Sequence, residues 1–193
     1  MLARQGARIV VNYASSKAEA EQPIQLLAYE FVPDKAGAGK FRGGVPFRRD
    51  YRFLEEEGTL QVRSDRRVHR PFGLYGGSPG APSGNVLNPE TENRPLPSKL
   101  TMTIRRGEVF RHVLAGGGGW GDPLERDPAR VLRDVRNELL SVARAASDYG
   151  VVIDAGAVDL AATERLRAEL RARRGWREVP KVLRTDPLPR AAE

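Results

Sequence analysis

The sequence predicts an α+β fold, in which a β-rich middle with glycine-rich loops is followed by a C-terminal helical segment. Three observations support this prediction. Short apolar runs in the middle of the chain alternate with clusters of glycine and proline, which is typical of strands joined by turns. Beyond the sequence GGGGWGDP, apolar residues recur at helical spacing at Val131, Leu132, Val135 and Leu139. Hydrophobic residues make up 40% of the 193 residues, which is enough to form a core.

Five strands are predicted in the middle region. The first is IQLLAYEF, and the next two are the arms of FRRDYRFLEEEGTLQVR, which join at Glu57 and Gly58. Two more strands are predicted over 100–104 and 109–114, because a turn signal at Gly107 separates these apolar runs.

The last third of the chain predicts three helices. Asp127 followed by Pro128 indicates a helix start, because an acidic N-cap accepts backbone N–H groups and proline is favoured at the first helical position. Ser141 predicts the N-cap of a second helix, which ends at Gly150. The buried strand VVID follows, and Asp159 then caps the third helix, LAATERLRAELRARR.

The composition narrows the class of protein. The sequence has no cysteine, which excludes disulfides and zinc–thiolate sites and favours a cytoplasmic protein. It has no apolar run of about 18 residues, and Arg8 interrupts the apolar stretch near the start, so neither a membrane span nor a signal peptide is predicted. The net charge is +7, but arginines alternate with carboxylates, as in ERDPARVLRDVRNE. We therefore predict no nucleic-acid partner.

Four clusters of turn-forming residues separate the strands: GAGKFRGG, GLYGGSPGAPSGN, NPETENRPLPS and GGGGWGDP. Glycine reaches positive φ without steric cost, so such clusters mark sharp turns or close approaches of the backbone. Loops with exposed N–H groups can hold an anion or a polar substrate, but glycine-rich turns also simply connect strands. Both interpretations stay open at this point.

The first segment, RQGARIVVNYASSKAEAE, resembles the second strand of a short-chain dehydrogenase. In that family Asn12, Tyr13 and Ser15 would lie near the adenosine ribose or its phosphate. The expected dinucleotide loop does not precede this segment, and the family's catalytic Tyr-x-x-x-Lys occurs only as Tyr13 to Lys17, inside the cofactor-binding part. An NADP-dependent reductase is therefore the weakest of the functions considered.

A second resemblance covers about residues 23–174. The blocks PDKAGAGKFRGG, SDRRVHRPFGLYGGSPGAPSGNVLNP, LPSKLTM, GGGGWGDPLERDPARVLRDVRNELLS and DYGVVID resemble, in the same order, the C-terminal part of the hydantoinase B or oxoprolinase family. The resemblance implies a hetero-oligomeric hydrolase that opens a cyclic amide, such as 5-oxoproline or a hydantoin, with a hydantoinase A-type partner subunit. It also implies that ATP and a divalent metal act in the full complex, with ATP bound by the partner.

The resemblance also implies a division of the chain into three parts. Residues 1–22 form the dehydrogenase-like fragment, and 23–179 form the hydantoinase B-like region, which is β-rich over 23–115 and helical over 124–174. The tail over 180–193 is rich in proline and charge, and we predict that it is disordered. Because family members are much longer, the chain resembles a truncated subunit, and a docking module without catalysis or an inactive remnant is the alternative function.

Candidate substrate-binding residues are arginines and backbone amides near the turns. Arginine offers paired donors that match a carboxylate or phosphate, and an aspartate beside it can orient the guanidinium. The predicted residues are Arg42, Gly43, Gly44, Arg63, Asp65, Arg66, Gly76 and Gly77. A surface salt bridge is the alternative role for Arg63, Asp65 and Arg66. No catalytic residue and no metal site is predicted, because a site built from His69 and His112 would need both to meet a carboxylate.

Overall fold

The computed structural model describes residues 23–174, and it confirms the α+β fold. The β-strands are β1 (Ile24–Phe31), β2 (Phe47–Phe53), β3 (Glu57–Arg63), β4 (Gly84–Leu87), β5 (Arg94–Pro95), β6 (Lys99–Arg105), β7 (Val109–Val113), β8 (Val152–Asp154) and β9 (Ala157–Asp159). The helices are α1 (Pro128–Arg136), α2 (Val142–Tyr149) and α3 (Leu160–Arg174). Within the described range, no helix is both long enough and apolar enough to cross a membrane. The dehydrogenase-like fragment and the predicted disordered tail lie outside the described residues.

A five-stranded antiparallel sheet forms the centre of the β-rich part, with strand order β1-β2-β7-β4-β5. Because side chains alternate along a strand, β2 places Arg49 and Tyr51 on one face and Arg48 and Asp50 on the other. β1 is an edge strand, and its register against β2 shifts near Leu27. Such a shift is a β-bulge, which bends the strand and interrupts the alternation of its side chains.

The second and third predicted strands exist, but they pair in different sheets. β3 pairs with β6 in a separate two-stranded ladder, so the chain crosses from one sheet to the other after β2. Glu57 and Gly58, the predicted junction, lie inside β3. The ladder packs on the central sheet through a core whose fully buried members are Leu87, Leu96 and Ile104. This packing covers one end of the sheet face that carries Arg49.

Three extended segments, residues 35–44, 71–81 and 115–121, lie side by side and form what we call the glycine bundle. Backbone hydrogen bonds join them, such as Gly37 N–H to the Gly117 carbonyl at 2.8 Å and Leu74 N–H to the Gly119 carbonyl at 2.9 Å. The reverse connections include Gly119 N–H to the Ser78 carbonyl at 2.9 Å. These bonds satisfy backbone groups that regular strands would otherwise pair.

The segment GGGG runs through the middle of the bundle with neighbours on every side. Gly116 and Gly119 face residues 35–38, whereas Gly117 faces 43–44 and Gly118 faces 72–73. Contacts that repeat every third residue have the period of a polyproline II helix. A Cβ at any of these four positions would lie closer than 3.0 Å to a neighbouring backbone atom. Only glycine therefore fits this line of close backbone contacts.

The helical part packs against the glycine bundle, and the predicted caps are confirmed. Asp127 accepts a hydrogen bond from Ala129 N–H, and the left-handed Gly150 ends α2 with φ at 61°. A buried core of Val131, Leu140, Ala145, Tyr149 and Val151 includes Ala38 from the bundle. The apolar face predicted for the first helix thus supports the bundle from below.

Candidate functional site

The ends of β3 and β6 border an open depression, which we call the basic groove and define by residues 61–69 and 97–101. Its two adjoining cavities have volumes of about 460 and 700 Å³, and Asp65 and Lys99 line both. The side chains of Arg63, Arg66 and Lys99 are exposed here, and Asp65 is the single carboxylate. The excess of positive charge favours an anionic group or a polarised carbonyl oxygen.

Hydrogen bonds fix the backbone of the groove while leaving these charged side chains in solvent. Ser83 donates its N–H to the Arg66 carbonyl at 3.1 Å and its hydroxyl to the Asp65 carbonyl. Arg67 donates to the Leu96 carbonyl, so its guanidinium holds the loop. Three predicted site residues, Arg63, Asp65 and Arg66, are thus brought together on one rigid edge. Their role in binding stays a prediction.

A buried asparagine connects the groove to the central sheet. Asn85, 2% exposed, donates Nδ2–H to the Ser64 hydroxyl at 2.8 Å and to the Pro97 carbonyl at 3.3 Å. Because the carbonyl can only accept, the amide oxygen of Asn85 faces His112 Nδ1 at 2.7 Å. This orientation places the ring proton on Nδ1.

His112 is therefore a neutral imidazole with an unprotonated Nε2. Burial, together with the positive charge of Arg49, lowers the pKa of His112 below its usual value of 6.5. The asparagine fixes the tautomer in the way that a hydrogen-bonded neighbour orients a catalytic or metal-bound histidine. An acceptor nitrogen of this kind can take a hydrogen bond or a proton.

Arg49 lies directly opposite His112 across the β2–β7 pair. Its guanidinium carbon lies 5.1 Å from the centre of the Phe47 ring and 5.9 Å from that of Tyr51. Its Nε is buried and has no hydrogen-bond partner among residues 23–174. Sequence reasoning missed Arg49, although an arginine between two aromatic residues at alternate positions of a strand was the available signal.

The opposite face of the sheet carries an ion cluster around Asp50, which is 3% exposed. Its carboxylate accepts hydrogen bonds from Arg48 at 2.7 Å and from Arg111 at 2.8 Å. Burial alone would raise the pKa of Asp50, but the hydrogen bonds from Arg111 and Arg48 outweigh burial and lower it. Because its charges are paired with one another, we interpret this cluster as structural.

The predicted residues of the glycine bundle lie apart from the groove side chains. Arg42 donates to Asp134 of α1 at 3.1 Å, and Arg126 donates to the same carboxylate at 2.9 Å. Gly43 and Gly77 are filled around by neighbouring backbone, whereas a Cβ at Gly44 would meet nothing within 4 Å. Gly76 is exposed and has φ at 90°. The guanidinium of Arg42 thus holds the bundle to the helical part, and a substrate contact by these residues stays a prediction.

The described residues do not fit a metal ion or a phosphate cradle. Within 23–174 no three histidine, aspartate or glutamate side chains meet in a way that could hold a metal. His69 is exposed at the groove, whereas His112 contacts Asn85 at the central sheet. The central glycines contact backbone where a phosphate-binding loop would leave space. We therefore assign neither the divalent metal nor ATP to this part of the molecule.

The family model "Hydantoinase B/oxoprolinase" matches residues 16–123, which is more than half of the chain. The chain belongs to the Hydantoinase B/oxoprolinase family. Residues 16–22 fall within this match, although the sequence assigned them to the dehydrogenase-like fragment. The dehydrogenase resemblance of 1–22 stays a prediction without support from the comparisons.

Two family relatives and one solved structure define the likeness. The chain is 34% identical to a putative D-/L-hydantoinase of Pseudomonas sp. NS671, in its B-type polypeptide, over 77% of this chain and 26% of the relative. It is 35% identical to the beta subunit of caprolactamase from Pseudomonas jessenii, over 78% and 27%. The crystal structure of the ATP-dependent caprolactamase from Pseudomonas jessenii superimposes with a TM-score of 0.64 at 32% identity, again covering 78% and 27%. The chain thus spans about a quarter of the length of the relatives it matches.

Proposed function

We propose that this chain is part of a hydantoinase B-type polypeptide that acts in the ATP-dependent hydrolysis of a carbon–nitrogen bond in a cyclic amide. The observation that carries this proposal is the basic groove on a domain of this family. 5-Oxoproline carries a carboxylate, and a hydantoin carries two carbonyl groups. Both kinds of group match the exposed donors of Arg63, Arg66 and Lys99.

Opening an unstrained lactam requires an activated carbonyl, and ATP supplies this activation by phosphorylating the amide oxygen. The groove would bind the negative charge of the substrate, with Asp65 orienting an arginine. The excess of cations in the groove would also raise the local concentration of an acidic substrate. The groove therefore acts in binding and orientation, and the bond-breaking groups belong to the assembled enzyme.

The partner in this proposal is a hydantoinase A-type subunit, and ATP is bound there. The names of the hydantoinase and caprolactamase relatives designate each as one subunit of a larger enzyme, so those proteins act within multi-subunit assemblies. The central glycine segments of this chain contact backbone and offer no phosphate cradle. Both observations support an ATP site on another polypeptide.

A docking module without catalysis is the second candidate, and β1 is the observation that favours it. This edge strand exposes apolar side chains, with Phe31 61% and Tyr29 58% exposed. An exposed apolar edge usually marks a covered surface. The apolar face of α1, in contrast, does not favour docking, because Val131 is fully buried.

The test is ATP-dependent ring opening of 5-oxoproline and of a hydantoin by the chain together with a hydantoinase A-type partner. The control reaction contains the partner alone. We expect turnover that requires the chain, and a substitution of Arg63 and Lys99 to glutamine that lowers kcat/KM about tenfold or more. Binding of the partner without turnover would support the docking module, and turnover by the partner alone would remove the proposed function.

A further inference from the structure

A row of polar side chains crosses one face of the central sheet. Tyr29 of β1, Arg49 of β2, His112 of β7 and Asn85 of β4 stand opposite one another in successive strand pairs. Side chains directly opposite on neighbouring strands begin about 5 Å apart, so each can reach a ligand that its neighbour holds. Aromatic residues border the row on both sides: Phe47, Tyr51 and Phe110.

Two members of the row have hydrogen-bonding capacity that the described residues leave unused. Arg49 keeps a buried Nε–H without a partner, and no described residue accepts a hydrogen bond from its guanidinium. His112 uses Nδ1–H for Asn85, which leaves Nε2 as an acceptor. A donor and an acceptor thus stand side by side on a half-exposed face walled by aromatic rings.

The pair selects among ligands by its chemistry. An anion would satisfy Arg49 but would repel the lone pair of Nε2, whereas a cation would be repelled by Arg49. A secondary amide has a carbonyl oxygen for Arg49 and an N–H for Nε2. In a cyclic amide the C=O and N–H point to the same side, but in a trans amide they point to opposite sides. Only the cyclic form meets both neighbours at once.

We propose that Arg49 and His112 form a binding site for the amide group of a small cyclic amide. The Arg49 guanidinium donates to the carbonyl oxygen, and the ring N–H donates to His112 Nε2. Asn85 is the positioning residue, because its hydrogen bond fixes the imidazole tautomer. Through Ser64 the same asparagine reaches the basic groove, which would hold a carboxylate on the same ligand. This site deepens the proposed function and rests on it for the identity of the natural ligand.

The test is an NMR titration of the whole chain labelled with 15N at histidine, in the absence of ATP and partner. The probes are 2-pyrrolidinone, a cyclic amide, and N-methylacetamide, a trans amide. We expect a saturable shift of the His112 Nε2 signal with 2-pyrrolidinone. Binding of N-methylacetamide should be about tenfold weaker, because it loses one of two hydrogen bonds.

Substitutions of arginine on the two faces of β2 complete the test. Arg49→Met keeps an apolar stem of similar length but removes the donors, and it should weaken 2-pyrrolidinone binding about tenfold or more. Arg52→Met, on the opposite face and exposed, should leave binding unchanged. If Arg49→Met loses the dispersed spectrum of a folded chain, Arg49→Lys replaces it, with weaker binding expected because lysine lacks the planar fork.

Three results would overturn the assignment: equal affinity for the two amides, no saturable shift in a folded chain, or full affinity in the Arg49 variant. The titration is independent of turnover. Binding that persists while ring opening with the partner fails would remove the proposed function and keep the amide site. Turnover that persists while binding fails would do the reverse.

Discussion

The glycine bundle and the basic groove are the two regions in which the sequence placed binding residues, and they are built in opposite ways. The bundle consists of backbone packed on backbone, with Gly118 pressed against Phe72 and Gly119 against Ala38. In the groove the backbone is held by side chains such as Ser83, and the charged side chains project into open space. Glycine density therefore marks close packing here, whereas exposed charge on a fixed edge marks the candidate site.

The contrast predicts its largest effect within the bundle. Gly118→Ala places a Cβ on top of the Phe72 carbonyl, and neither backbone can move without breaking the bundle. We expect a loss of more than about 4 kcal/mol in the free energy of unfolding, measured by chemical denaturation. Gly44→Ala is the matched control, because a Cβ there meets nothing within 4 Å, and its effect should stay within about 1 kcal/mol. Similar losses for the two variants would contradict the backbone account of the bundle.

The junction of the bundle with the helical part should give the next largest effect. Asp134, 3% exposed, accepts from both Arg42 and Arg126, so Asp134→Asn leaves buried guanidinium groups without their counter-charge. We expect a loss of about 3 kcal/mol. The exposed helical pair of Arg144 and Asp148 provides the control, and Asp148→Asn should cost less than about 1 kcal/mol. A small effect at Asp134 would show that Arg42 does not hold these parts together.

The central sheet predicts a dependence of stability on pH. The pKa of His112 is lower in the folded state than in the unfolded chain, so the unfolded chain binds the proton first as the pH falls. Stability present above pH 6.5 should therefore be lost as the pH falls below that value. The lowered pKa of Asp50 adds a further loss as the pH falls below about 3.8.

Denaturation curves at several pH values measure this dependence. His112→Gln should remove the part of the slope just below pH 6.5, whereas His69→Gln, at an exposed position, should leave it in place. An unchanged slope in the His112 variant would show that His112 is not held neutral by the fold.

The basic groove should give the smallest effect on stability. Arg63 and Lys99 are exposed, so glutamine at either position should change the free energy of unfolding by less than about 0.5 kcal/mol. The same substitutions should weaken function in the assembled enzyme, because they remove charge from the groove. A large loss of stability would instead identify these residues as structural.

Local sequence signals predicted the caps and most strands because short-range chemistry decides them. Asp127, Ser141 and Gly150 each act through hydrogen bonds or backbone angles within a few residues. Strand pairing depends on distant partners, so the separation of β2 and β3 into two sheets was not predictable from their shared stretch. Arg63 and Asp65 were found because they are close in sequence, whereas Arg49 and His112 meet only through the register of the sheet.

The most direct test of the contrast is hydrogen–deuterium exchange of the complex with a hydantoinase A-type partner, with and without 5-oxoproline. We predict that the substrate slows exchange over residues 61–69 and 97–101, where the charged side chains project. Exchange over 35–44 and 115–121 should stay the same, since backbone hydrogen bonds already occupy the bundle. Protection of the glycine segments without protection of the groove would contradict this prediction and return the binding site to the bundle.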